Sequence, residues 1–170
     1  QLKLERLRQI REIIRQLDVA IKEESRERQA AEALAKQPPP EASKDFEQLR
    51  GDQSGNRRLT DTIGELIRGL GEIGARAQTE VGAASGSMSS AEQSLAQQAA
   101  QMAAGQQQQA QESLEKAKQE LEEEAQRHLD ELRAEVRQKT LEALIAMLEK
   151  QIAVRQSTEA LAPLVTQSSR

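Results

Sequence analysis

Two rows of apolar residues, each with an eleven-residue period, run through the C-terminal half of the chain. One row is Ala110, Leu121, Leu132, Ala143 and Val154, and the other is Leu114, Ala125, Val136 and Met147. Because the rows are offset by four residues, they lie side by side on one helix, which we expect to cover residues 106–161. At 1.5 Å per residue, a helix of roughly fifty residues is about 75 Å long. A seam of that length needs an equally long partner helix.

A second long helix is predicted over residues 57–104, where apolar and small residues recur every seven positions. One row is Ile67, Gly74, Val81, Met88, Leu95 and Met102, and the other is Ile63, Leu70, Ala77, Ala84 and Ala91. Glycine costs up to about 1 kcal/mol relative to alanine inside a helix, so this helix needs a packed partner. Gly105 is the predicted turn between the two arms, because glycine often ends a helix in the left-handed conformation.

The N-terminal residues 1–36 carry a seam with alternating steps of three and four, which is typical of a heptad repeat. Its members are Leu7, Ile10, Ile14, Leu17 and Ile21. The seam weakens at Glu24 and Arg28, and the helix must stop before Pro38 because proline disfavours helix in the residue before it. The connector 37–56 is predicted to hold a short helix at 42–50 and a turn at 51–56. One continuous helix over 42–104 is the alternative.

The predicted fold is therefore all-α: an elongated helical bundle built on a long antiparallel coiled-coil-like hairpin, residues 57–161, that turns near Gly105. The N-terminal helix is expected to pack at the base of this hairpin, against residues 63–73 and 141–161. Its apolar stripe is wider than a simple heptad seam, which favours contact with more than one neighbour. Residues 162–170 are predicted to form a tail beyond the hairpin.

Composition agrees with a thin helical core. Hydrophobic residues make up 36% of the 170 residues, charged residues make up 31%, and Phe46 is the one aromatic residue. The formal net charge of −4, without a basic stripe or stacking aromatic residues, argues against nucleic-acid binding. The longest apolar run, residues 143–148, is far too short to cross a bilayer. The chain starts inside a helical pattern without Met, so we expect a fragment of a longer protein, with any membrane anchor outside it.

Candidate chemistry in the sequence is sparse. His128 is the one histidine, which leaves no obvious partners for a metal site or a Ser-His-Asp triad. Asp52 opens a segment that resembles a calcium loop, but Arg57 and Ile63 occupy the positions that need Gly and Glu. Gly69 and Gly71 lack the Lys-Ser/Thr of a phosphate-binding loop. The sequence therefore predicts no enzymatic activity and no cofactor.

Part of the hairpin resembles long helical proteins of the bacterial cell envelope that carry repeated Gln/Ala/Glu/Leu-rich hairpins, often beside a membrane anchor. The residues that carry the resemblance are Met88-x-x-Ala91-x-x-x-Leu95, Gly105 and Gln109-Ala110-x-x-x-Leu114-x-x-Ala117-x-x-x-Leu121. The resemblance implies a helical, envelope-associated and non-enzymatic role, and it supplies no catalytic residues.

From the residues themselves we predict a structural or protein-interaction module, a coiled-coil spacer or scaffold, with a protein partner or a second copy bound through its helices. The predicted interaction seam comprises Ile67, Leu70, Val81, Met88, Leu95, Leu114, Leu121, Leu132, Val136 and Met147. The alternative is a lipid-surface helix that uses the face of residues 141–154. The outward faces of residues 84–104, rich in Gln, Ser and Ala, favour a weak dimer through the hairpin arm.

Overall fold

The computed structural model describes residues 2–37 and 39–168, with only the backbone of Pro39. These residues form four α-helices, and no strand occurs among them, so the predicted all-α helical bundle is confirmed. The helices are α1 (Leu2–Leu34), α2 (Pro39–Arg68), α3 (Ala75–Ala96) and α4 (Ala100–Ser168), with a short 3-10 helix at Gly71–Gly74 before α3. Pro38, the predicted stop of the first helix, lies outside the described residues, as do Gln1, Ser169 and Arg170.

The chain divides into two units, residues 1–128 and 129–170. In the first unit, α1, α2, α3 and residues 100–128 of α4 form an antiparallel four-helix bundle. Polar contacts between the helices show the alternating directions. They are Asn56 Nδ2 to the Ala20 carbonyl oxygen at 3.0 Å, Arg57 Nε to Glu92 Oε1 at 2.8 Å, Ser94 Oγ to Gln106 Oε1 at 2.7 Å, and Lys118 Nζ to Asp18 Oδ1 at 2.7 Å. The second unit is described below by itself.

Two apolar clusters form the core of the bundle. The larger cluster joins α1, α2, α3 and α4 through Ile10, Ile13, Leu17, Ala20, Ile63, Ile67, Leu70, Ala77, Val81, Ala84, Met88, Ala110, Leu114, Ala117 and Leu121. The smaller cluster comprises Ala31, Leu34, Ala42, Phe46, Leu49, Leu95, Ala100, Ala103 and Ala104. The predicted packing of the first helix against residues 63–73 is therefore present. On α3 and α4 alanine supplies many of the buried side chains.

The predicted connector at 37–56 is wrong, because α2 continues without a break through Gly51 and Gly55. Past both glycines, Gln53, Asn56 and Thr60 are buried on the face that also buries Leu49. Tertiary packing of that face therefore outweighs the low helix propensity of the two glycines. The alternative of one helix over 42–104 is also wrong, because the chain reverses between Arg68 and Ala75.

This reversal depends on two glycines. Gly71 has a φ of +71°, in the left-handed region that favours glycine. A methyl group on Gly74 would lie 2.6 Å from the carbonyl oxygen of Ile67, so the close approach of the 3-10 helix to the end of α2 leaves no room for a Cβ atom. The predicted helix over 57–104 is thus two antiparallel helices.

The turn predicted at Gly105 is also wrong. The chain reverses at Gln97–Ala99, where Gln98 has a φ of 56° and the Ala99 amide donates to the Ser94 carbonyl oxygen at 2.8 Å. Gly105 lies inside α4, because the buried Ala103, Ala104 and Gln107 on either side hold that segment in the bundle. Packing, and not the position of a glycine, sets the turn.

The C-terminal boundary differs as well. Helix α4 continues past Leu161 and through Pro163 to Ser168, so residues 162–168 are helical and not a separate tail. The predicted burial of residues 141–161 is wrong, because every residue of this range is exposed.

Candidate functional site

The predicted interaction seam falls on both sides of the boundary between the two units. Seven of its residues are buried in the bundle core: Ile67, Leu70, Val81, Met88, Leu95, Leu114 and Leu121. The other three belong to the second unit, where Leu132 is half-buried and Val136 and Met147 are 63% and 61% exposed. The seam is therefore structural within residues 2–128 and remains a candidate contact surface beyond them.

A layer of polar side chains separates the two apolar clusters of the bundle. This polar layer consists of Glu24, Glu27, Gln53, Asn56 and Gln107, all at most 5% exposed. Gln53 Nε2 and Asn56 Nδ2 each donate to Glu24 Oε2 at 2.9 Å. Gln107 Nε2 donates to Gln53 Oε1 at 2.7 Å. The hydrogen bonds thus join α1, α2 and α4 at one level of the bundle.

Burial makes the two carboxyl groups of this layer weak acids. Desolvation raises the pKa of Glu24 to about 7, and the amides of Gln53 and Asn56 limit that rise because they stabilise the charged form. Desolvation, followed by the charge of Glu24, raises the pKa of Glu27 to about 9. The two groups titrate as a pair, and protons are taken up or released by both together.

The polar layer is not fully hydrogen-bonded. Glu27 Oε2, Asn56 Oδ1 and Gln107 Oε1 are buried acceptors without a hydrogen-bond partner. Each such acceptor costs about 1–3 kcal/mol. Our sequence reasoning noted the weak seam at Glu24 but missed the layer. The sequence did contain a sign of this layer, because Gln53, Asn56 and Gln107 continue the three- and four-residue spacing of the apolar positions around them.

The remaining candidate groups form no shared site. His128 is half-buried, and its Nδ1 lies 3.0 Å from the Glu124 carbonyl oxygen of the same helix. Within the described residues, no group of three or more His, Cys, Asp or Glu side chains is placed to hold a metal ion. The chemistry that the buried residues do support is proton uptake by the Glu24–Glu27 pair.

The second unit presents the opposite arrangement, because from Val136 onward its large aliphatic side chains face solvent. Leu141, Ile145, Leu148 and Ile152 follow one another in steps of four, three and four, and are 47% to 58% exposed. This spacing places them on one face of α4. We call these four residues the tail seam.

A second apolar row lies on the opposite side of the same helix. Its residues are Val136, Ala143, Met147, Val154, Leu161 and Val165, which continue the spacing of the buried row in the bundle part of α4. Lys139, Lys150 and Ser157 interrupt this row, whereas no polar residue falls at the seam positions between Leu141 and Ile152. The tail seam is therefore the most continuous exposed apolar surface of residues 129–168.

No protein-family model, curated protein or solved structure matches the chain. None of the helices in the described part of the chain is apolar enough along its length to cross a lipid bilayer.

Proposed function

We propose that this chain is a non-enzymatic protein-interaction module, in which the four-helix bundle anchors a helix that binds other helices. The observation that carries the proposal is the exposure of the large aliphatic side chains of residues 129–168. From Val136 to Val165 these side chains are 47% to 67% exposed. A soluble chain that keeps so many leucine, isoleucine and valine side chains in water on one helix is typical of a surface that binds a partner.

The bundle contributes a preformed start for this helix. An isolated helix in water is marginal, because its first turn is unfavourable to form. Helix α4 passes without interruption from residues packed in the bundle, such as Leu114 and Leu121, into residues 129–168. A partner helix therefore meets a helix that is already nucleated, which lowers the entropy cost of binding.

The polar residues of the second unit favour a protein partner over a lipid surface. A helix that lies on a membrane usually has a basic polar face and bulky aromatic residues. Here the polar residues include Glu142 and Glu149 as well as Lys139 and Lys150, and residues 129–168 contain no aromatic residue. Mixed charges beside an apolar seam are typical of helices that pair with helices.

The proposal is tested by placing a photo-crosslinking amino acid at Ile145, in the full-length chain inside the producing cells. We expect crosslinks to protein from this position. The matched control is Ala146, the next residue on the same helix, which lies away from the tail seam and should give few crosslinks. Equal yields from both positions would contradict a directed interaction surface.

Vesicle flotation tests the lipid alternative with the purified chain. We expect the chain to stay with the soluble fraction when mixed with vesicles of neutral lipid or of neutral and anionic lipid. Robust flotation that disappears in Leu144→Glu would favour the lipid-surface function instead and would overturn our proposal.

A further inference from the structure

On the basis of the proposed function, we infer that the partner of the tail seam is a second copy of this chain, paired in parallel and in register. The two copies would form a short two-stranded coiled coil through Leu141, Ile145, Leu148 and Ile152. Two features of residues 129–168 support this particular occupant: the choice of side chains at the seam and the charges that flank it. The length of the apolar stretch then sets the strength of the dimer.

The side chains of the tail seam match a parallel dimer. Steps of four, three and four place Leu141 and Leu148 at d positions of a heptad, and Ile145 and Ile152 at a positions. Isoleucine at a with leucine at d favours two parallel strands, because the β-branched side chain fits the parallel packing geometry at a. The reverse assignment would favour four strands. The seam therefore selects both the number of helices and their direction.

The flanking charges support the same direction. Arg137 falls at a g position and Glu142 at the following e position. In a parallel pair, Arg137 of one copy faces Glu142 of the other, and symmetry forms this contact twice. In an antiparallel pair, e positions face e positions, so Glu142 of one copy would face Glu149 of the other, again twice. Parallel pairing thus gains two attractions where antiparallel pairing gains two repulsions.

The length of the seam sets the strength of the dimer. Only four aliphatic layers are continuous, since Gln138 and Arg155 occupy the next seam positions on either side. We therefore expect weak association. Such a dimer would assemble and dissociate with changes in the concentration of the chain.

Sedimentation of the intact purified chain over a concentration series is the direct test. We expect dimers to accumulate as the concentration rises into the 100 μM range. The double variant Leu141→Lys/Leu148→Lys should weaken dimerisation by at least about tenfold. Its control is Ala146→Lys/Ala153→Lys, which adds the same two charges on the opposite face of the helix and should sediment like the unchanged chain. Both variants should keep the thermal unfolding of the bundle, since neither changes residues 2–128.

Orientation is measured separately with single cysteines, because the chain contains none of its own. In a parallel pair, Ile145→Cys faces itself, so this variant should form an interchain disulfide under mild oxidation. In an antiparallel pair, residue 145 faces residue 148, and efficient crosslinking would need a mixture of Ile145→Cys and Leu148→Cys. Preferential crosslinking in that mixture would overturn the parallel arrangement.

Charge exchange completes the test. Arg137→Glu alone should weaken the dimer about three- to thirtyfold, as expected for the loss of two exposed ion pairs. The exchanged variant Arg137→Glu/Glu142→Arg should restore the affinity, because parallel pairing then regains both attractions. Failure of the exchange to restore it would contradict the proposed contacts.

The outcomes separate this inference from the proposed function. If the purified chain stays monomeric at the highest concentration while Ile145 crosslinks to a different protein in cells, the second copy is the wrong partner and the interaction module stands. If the chain is monomeric and Ile145 yields no directed crosslink, both proposals are wrong.

Discussion

Helix α4 allows two regions of one molecule to be compared along a single element. Between Ala100 and Leu121 its buried side chains are mostly alanine, yet they lie in a packed core. Between Leu141 and Ile152 the side chains are larger and more hydrophobic, yet they are exposed. Hydrophobicity alone therefore does not decide which residues of this chain are buried. A helix buries a face only where another helix packs against it. In this chain the largest aliphatic residues of α4 lie where no other described helix covers them.

Truncation of one leucine in each region should give the largest difference. Leu114 is fully buried, so Leu114→Ala should lower the free energy of unfolding of the bundle by about 2–5 kcal/mol. Leu148 is 58% exposed, so Leu148→Ala should change it by less than about 0.5 kcal/mol. Chemical denaturation followed by circular dichroism at low micromolar concentration measures both values. Similar losses of stability for the two variants would show that the two parts of α4 do not differ in burial as described.

The buried carboxyl pair should make the stability of the bundle depend on pH. The folded state raises the pKa of Glu24 to about 7 and that of Glu27 to about 9, above the ordinary value of 4.5, so it holds protons that the unfolded chain has released. The stabilising contribution is fully present below about pH 4.5 and is lost as the pH rises through 7 and 9. We expect a loss of about 2 kcal/mol or more between pH 5 and pH 9.

Two substitutions sharpen this prediction. Glu27→Gln keeps the size and polarity of the side chain but binds no proton, so it should flatten the pH profile and stabilise the bundle at pH 9. Glu149→Gln, on the exposed part of α4, is the matched control and should leave the profile unchanged. Denaturant midpoints measured from pH 5 to pH 9 give the stability of each variant. If Glu27→Gln leaves the pH profile unchanged, Glu27 is not a source of the pH dependence.

A smaller effect is expected from two glycines of the bundle. Gly74→Ala would place a Cβ atom 2.6 Å from the Ile67 carbonyl oxygen and should cost about 1–3 kcal/mol. Gly82→Ala, in an open position on α3, should instead stabilise by up to about 1 kcal/mol, since alanine is the better helix former. Thermal unfolding measures both changes. A lower melting temperature for Gly74→Ala and a higher one for Gly82→Ala would support close packing at Gly74, whereas shifts in the same direction would argue against it.

Sequence periodicity predicted the helical class of this chain and the packing of its first helix against residues 63–73. Of the predicted seam, Leu7, Ile10 and Leu17 are buried, whereas Ile14 and Ile21 are only half-buried. Ile13 and Ala20 are buried in their place, and α1 ends at Leu34, before the prolines. These predictions succeeded because apolar spacing and proline act locally. The weakening of the seam at Glu24 was visible, whereas the hydrogen bonds from Gln53 and Asn56 depend on which helices become neighbours.

Turns were harder to predict, because packing can override local preference. The turn at Gln97–Ala99 contains no glycine, although Gln98 adopts a positive φ, while Gly51, Gly55 and Gly105 lie inside helices. Leu95 and Ala100 are buried on either side of this turn, so core packing resumes directly before and after it. The partner of a helix was also hard to predict. An apolar row such as that through Val136 and Met147 indicates that another helix should cover it, but it does not identify that helix.

The polar layer also limits how the helices can slide along one another. Apolar faces that repeat every seven residues present similar surfaces one heptad apart, so α1 and α2 could align at several offsets with similar energy. A shift of α1 by one heptad against α2 would place Gln53 beside Leu17 or Ala31 and would remove its bonds to Glu24. Misaligned bundles would thus bury amides and carboxyls against hydrocarbon. The polar layer should therefore penalise a one-heptad shift more than the native alignment, and so favour one register of α1 against α2.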